Sequence, residues 1–271
     1  MFKTSTLAVC MLALPLSAVA QDGGYSTAEQ DFKVFEGTFG VTEGKRRNHT
    51  KGFCIVGEFA PVDAAILKYT NSPIFTQTSA VNGRVSHKGG SNTAPDDKFG
   101  DLGLAFELTT ADDDYHIINV NTEYFFPAST PADFIDVVRA KGQGGEAVKA
   151  LAAERPELAA YLHYHKKVRA KDLHPYEGTT FNSVNAFYLV NDAGERTPIR
   201  WAMVPSGEQG IVSEHNPDFF MDNMNANLAK GPVSWDMVVT IANADDDPNN
   251  AAIRWEGDHT EITAARLTVT S

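Results

Sequence analysis

The chain has 271 residues and a formal charge of −12, from 23 basic and 35 acidic side chains; 42% of it is hydrophobic and it holds two cysteines. So acidic a protein repels phosphate backbones, which excludes nucleic acid as a partner. The length allows one large domain with its own core.

Residues 1–20 read as a signal peptide. Lys3 gives the positive start, Leu7 to Leu16 the apolar centre, and Ser17-Ala18-Val19-Ala20 the small residues a signal peptidase reads. That apolar run is too short to anchor the chain in a bilayer, and no other segment reads as a membrane span. The expectation is an exported protein, periplasmic or extracellular, whose mature domain is residues 21–271. Cys10 leaves with the signal, so Cys54 stands alone and no intrachain disulfide can form.

Residues 21–45 read as an extended arm with one short helix. Residues 51–60 form a strand, apolar almost throughout and therefore expected to be covered on both faces, with Cys54 packed as core. Asn82-Gly83 is a turn signal leading into Arg84-Val85-Ser86, and 89–95 is a loop. Leu102–Thr109 and Tyr115–Asn121 are strands joined at Ala111-Asp112-Asp113-Asp114, an acidic run read as a solvated hairpin turn rather than a calcium site.

The middle of the chain is helical. Thr130 caps a helix with Pro131 at its first position, and Phe134, Ile135 and Val138 follow at helical spacing. Gly142–Gly145 ends it. Helices over 146–153 and 156–167 come next. His163-Tyr164-His165, with His174 nearby, hints at a metal site, but positions i and i+2 of a helix point to different sides, so surface placement is the reading. Strands Phe181–Val190 and Thr197–Val204 flank a turn at Asn191-Asp192-Ala193-Gly194. Asn216-Pro217 opens a helix to about Lys230, before strands Val233–Ala242 and Ala264–Thr270. Strands, helices, strands, helix, strands is an α+β order: an antiparallel sheet or barrel with helices packed outside it.

Residues 45–59 carry the chemistry. His49 follows Arg46-Arg47-Asn48 and directly precedes the first strand. A histidine changes charge near neutral pH and can carry a proton, and arginines beside it can hold an anion. Together with Asn119-Val120-Asn121-Thr122-Glu123-Tyr124-Phe125-Phe126 and the helix start after it, this stretch resembles the distal heme pocket of the catalase family. The resemblance spans roughly residues 30–270 and is closest to the small, exported catalase-related peroxidases; Arg200–Pro205 and Gly231–Trp235 fit the same group.

The resemblance implies an eight-stranded antiparallel barrel with peripheral helices, a heme b cofactor and hydrogen peroxide as substrate. His49 would be the proton shuttle. Asn121 would donate a hydrogen bond to the peroxide, with Asn119 the alternative under a shifted alignment, because this chain has Asn-Thr-Glu-Tyr where the family has Asn-Asn-Thr-Pro. Ser86 would fix the tautomer of His49. Arg46 and Arg84 would bind the heme propionates, and Phe134 would stack on the macrocycle. The family's axial tyrosine lies four residues after an arginine on a helix beyond the last strand. None of the eight tyrosines here has that spacing, so the ligand is expected beyond residue 271 and the chain reads as C-terminally truncated. The function implied is a heme peroxidase using a small organic reductant, compatible with a homo-oligomer. The alternatives are a true catalase, or an exported barrel without heme that binds a small apolar ligand.

Overall fold

The computed structural model describes residues 27–98, 100–168, 175–207, 210 and 216–271; the expected signal peptide over residues 1–20 and His174 lie outside them. The order of elements is helix α1 (Ala28–Phe39), strands β1 (Gly52–Pro61), β2 (Ser79–His87), β3 (Leu102–Thr109) and β4 (Tyr115–Asn121), and helices α2 (Pro131–Gln143), α3 (Gly145–Glu154) and α4 (Pro156–Val168). Strands β5 (Phe181–Asn182), β6 (Phe187–Val190) and β7 (Arg196–Ser206), helix α5 (Phe220–Leu228) and strands β8 (Val233–Ile241) and β9 (Thr260–Val269) complete it. No helix among the described residues is long and apolar enough to cross a membrane.

Hydrogen bonding runs β5-β4-β3-β2-β1-β9-β8-β7, and β7 then pairs back onto β5, so eight antiparallel strands close into a barrel. A ninth, β6, lies beside the other half of β7. The expected eight-stranded barrel with outside helices is therefore present. Alternation fills it: Val81, Val85, Leu104, Phe106, Leu108, Ile118 and Val120 point inward and are buried, from strands whose intervening residues point out. A second apolar cluster of Phe125, Val137, Leu158 and Tyr161 docks the helices on the outside. α2 begins as its residues dictate, with the Thr130 hydroxyl accepting from Asp133 N and Pro131 in the first turn.

Five expectations are corrected. The first strand is covered on one face only: Val56 is 44% exposed and Cys54 is exposed, because the barrel's outer wall is bare there. Asn82-Gly83 is not a turn but the middle of β2. A Cβ on Gly83 would stand 3.0 Å from Ile55 and 3.1 Å from Phe106, so the glycine serves packing inside the barrel. The strand expected over 181–190 is two. Val184 takes φ 62° between them, and the Ser183 hydroxyl accepts from Trp201 N and donates to Asn185 O, interrupting the strand pairing with side-chain bonds. Finally, Asn216 caps only a local turn, accepting from Asp218 N, and α5 starts at Phe220, whose N–H is held by Asp96 Oδ2 at 2.9 Å. A cap supplied from 124 residues away leaves no local signal. The last strand begins at Thr260, four residues earlier than its apolar pattern suggests.

Candidate active site

Four strands bring one row of residues into line. Gly52 faces Ser86, Ser86 faces Gly103, and Gly103 faces Asn121 across β1, β2, β3 and β4. All four lie on the barrel's outer face, since their neighbours Val85, Leu104 and Val120 point in. His49 comes to this row from the loop before β1. Its Nδ1 lies 3.0 Å from Ser86 Oγ. Its ring fills the space above Gly103: a Cβ there would stand 2.7 Å from His49 Cε1, 2.8 Å from its Nδ1 and 3.2 Å from Asn121 Oδ1. The missing side chain of Gly103 is what lets imidazole and carboxamide share one spot.

The loop that delivers the ring is held from several sides. His49 itself has φ 56°, a left-handed conformation that costs a non-glycine residue on the order of 1 kcal/mol. Arg84 pins the turn with two donations, to His49 O at 2.8 Å and Thr50 O at 3.1 Å. Asn48 Oδ1 accepts from His49 N and from Gly89 N, and the Thr50 hydroxyl donates to Arg46 O. Farther out, Arg47 Nε reaches Glu36 of α1 at 2.6 Å.

Electrostatics keep this imidazole neutral. Burial pushes the His49 pKa down, and the positive charges of Lys88, Arg46 and Arg84 push it further, to about 4, against a small opposing pull from Asp101. The Ser86 hydroxyl can donate to Gly103 O, 3.5 Å away, and so accept Nδ1–H of His49. That tautomer leaves Nε2 as a free lone pair. Lys88 is itself paired with Glu123, whose carboxylate also accepts from Tyr161. Asn121 Oδ1 and Glu123 Oε2 are buried without a hydrogen-bond partner.

The structure thus brings His49, Ser86, Asn121, Arg84 and Arg46 together. Asn119 lies one row away, opposite Ala105, and is exposed. Phe134 is less direct. Its ring packs on Phe126 at 4.6 Å and on Phe35 at 6.2 Å, and it is Phe126 that lines a cleft together with Asn121. One row along the outer face, Cys54, Val56, Arg84, Ala105 and Ile117 floor an open trough of about 400 Å³. His163 is exposed and His165 is buried against Tyr161 and Tyr164, ring centroids 4.0 and 5.9 Å away. The sequence reading missed Gly103, Lys88 and Glu123. Gly103 alone had a signal, a glycine inside an otherwise apolar strand, which marks a close approach.

No protein-family model matches the chain. Over 285 aligned residues it is 28% identical to a catalase-related peroxidase of Synechococcus elongatus, covering 98% of this chain and 82% of that protein. Against a catalase-related peroxidase of Mycolicibacterium paratuberculosis it is 26% identical, over 91% of this chain and 81% of the relative. Its fold superposes on a fungal catalase with a TM-score of 0.70 at 16% identity, covering 83% of this chain and 50% of that one. Catalase A from Saccharomyces cerevisiae gives a TM-score of 0.69, also at 16% identity, with 51% of its chain covered. The chain therefore spans about half the length of the two solved catalases.

Proposed function

We propose, on the premise that this is a catalase-family chain close in sequence to the catalase-related peroxidases, that it is a heme-dependent peroxidase reducing hydrogen peroxide with a small organic donor. The coarser reading, an oxidoreductase acting on peroxide, draws on the relatives' names. The finer one draws on His49, a neutral imidazole with a free Nε2 above a bare Gly103, beside an amide whose buried oxygen has no partner.

The residues present fit one face of a heme site. The exposed apolar trough of Val56, Ala105 and Ile117 suits a flat hydrophobic ring system. Arg46 and Arg84 would bind its carboxylates. Bound heme would supply the electron-transfer chemistry at its iron.

The chain's own residues handle the proton. With heme bound, His49 Nε2 would hold the proton that passes from one peroxide oxygen to the other as the O–O bond breaks, while the two electrons that complete reduction to water would come from the donor by way of the heme. Ser86 holds the ring in the tautomer that can accept and release it. Asn121 orients the peroxide by a hydrogen bond without competing for the proton. Because His49 stays neutral down to about pH 4, the base is available across the physiological range. Export by residues 1–20, to the periplasm or beyond, belongs to the same proposal.

Titration of the purified chain with hemin is the test. A Soret band, and peroxide-dependent oxidation of a donor that drops by about 10²–10⁴-fold in His49→Ala, are the expected results. Heme-loaded His49→Ala protein with an undiminished rate refutes the assignment.

A further inference from the structure

The face that carries His49 continues one step past the row of Gly52, Ser86, Gly103 and Asn121. Lys88 follows Ser86 by two residues and Glu123 follows Asn121 by two, so both leave the sheet on the side of the site. Lys88 N bonds Asp101 O at 2.7 Å, which carries the β2–β3 ladder past the end of β2. Lys88 Nζ pairs with Glu123 Oε1, and the Tyr161 hydroxyl of α4 donates to the same oxygen at 3.3 Å. The pair lies deep: the lysine side chain is 20% exposed and the carboxylate side chain 1%.

A lysine is rarely placed at that depth, and an ion pair there adds little to stability, because lost hydration offsets the attraction. Its effect falls on the neighbour. Of the charges around His49, that of Lys88 acts most strongly, ahead of Arg46 and Arg84, with Asp101 opposing. Glu123 and Tyr161 fix where the ammonium stands. The three cations also differ in what they are free to do. In the peroxidase reading Arg46 and Arg84 face the carboxylates of heme, which offset their charge at the imidazole. The partner of Lys88 belongs to the protein, so its push on His49 is present with or without a cofactor.

We propose that Lys88 is a positioning residue for the proton on His49: clamped by Glu123 and Tyr161, its ammonium keeps solvent protons off the imidazole. Nε2 is then vacant when peroxide arrives, and a proton it accepts leaves again readily. The role in turnover rests on the peroxidase reading; the effect on the ring needs no heme.

The test follows the His49 ring resonances of the full chain without heme, assigned by their absence from His49→Gln, as pH falls from about 8 to about 4. In the unaltered chain the ring should titrate at about 4. In Lys88→Met it should titrate about one unit higher, a ten-fold rise in proton affinity, while Lys88→Arg should stay within a few tenths of the unaltered chain. Lys88→Met leaves a buried carboxylate alone, so Lys88→Met/Glu123→Gln, which removes both charges, is measured beside it and should show the same rise. Lys230→Met, an equal loss of charge at an exposed site, should leave the ring where it was. The proposal is overturned by an unmoved ring in whichever of the two Lys88→Met proteins folds, by Lys88→Arg moving the ring as far as Lys88→Met, or by Lys230→Met moving it equally. Failure of both Lys88→Met proteins to fold also overturns it, and makes Lys88 a stability residue. In heme-loaded Lys88→Met the acid limb of kcat/KM for peroxide should move up by the same unit with its plateau kept, whereas a merely structural loss lowers the plateau. A ring that moves while the acid limb stays in place removes His49 as the proton carrier and leaves the hold of Lys88 on the ring standing.

Discussion

Two histidines meet β2 at consecutive residues and from opposite sides of the sheet. His49 leans on Ser86 from outside the barrel. His87 points inward, 4% exposed, with Nε2 at 2.7 Å from Asp96 Oδ1 and its ring stacked on Phe220 at 5.4 Å. The first has a neutral partner and three cations around it. The second has a carboxylate that also receives Lys51 Nζ at 2.6 Å and Phe220 N at 2.9 Å. Burial pushes the Asp96 carboxyl up, but the donations of His87, Lys51 and Phe220 outweigh it and hold the carboxyl below its usual range. The same imidazole is held neutral where its partner is a hydroxyl and cations surround it, and serves as a structural tie where its partner is an anion. What differs is the partner's charge, and the β2 alternation that separates the two faces.

That contrast can be broken most sharply at His49. Replacing it with alanine should remove about 3–5 kcal/mol of transition-state stabilisation while leaving the melting temperature within a few degrees, read from peroxide turnover and calorimetry. Asp96→Ala should do the reverse. It strands Lys51, His87 and the first N–H of α5, costing about 3–5 kcal/mol and about 10 °C in melting temperature, with kcat at low temperature largely kept.

A pH series separates the two histidines next. The His49 pKa is depressed from 6.5 to about 4 in the folded chain, so between those values the unfolded chain binds the proton and the folded chain does not. Stability is therefore complete above pH 6.5 and falls as pH drops toward 4, by about 3 kcal/mol. Urea midpoints at pH 7 and pH 4.5 measure it, and His49→Gln should flatten that part of the slope. An unchanged slope in His49→Gln assigns the loss to other groups.

Gly103→Ala comes third in reach. Its methyl would overlap the imidazole and should cost about 1–3 kcal/mol, with the His49 Nδ1 resonance shifting as the Ser86 bond lengthens. The smallest change, Arg84→Lys, gives up the paired donation to His49 O and Thr50 O and should cost about 1 kcal/mol. It should raise the exchange rate of loop amides near His49 before it affects anything else.

The barrel was legible because its strands alternate, and the helix from Pro131 because Thr130 and Pro131 mark its start; both signals are local. His49, Ser86, Arg84 and Asn121 were legible only through likeness to a family. Nothing in the spacing of residues 49, 86 and 121 says that they converge. Non-local facts were illegible: Asp96 capping α5, Ser183 breaking a strand, and a bare outer wall that leaves Cys54 exposed. Each depends on which segments become neighbours, and local apolar pattern does not encode that.

The row Gly52, Ser86, Gly103, Asn121 has a consequence for how this site could be lost. It exists only while three strand pairings keep their alignment. A slip of one residue at the β2–β3 contact would set His87 or Val85 where Ser86 stands, and a slip at β3–β4 would offer Val120 in place of Asn121, turning a polar group into the barrel and a hydrophobic one into solvent. The apolar filling of the barrel therefore guards the chemistry on its outside. Any misalignment that would scatter the site also exposes Val85, Leu104 or Val120 to water, and folding itself rejects it before activity is ever tested.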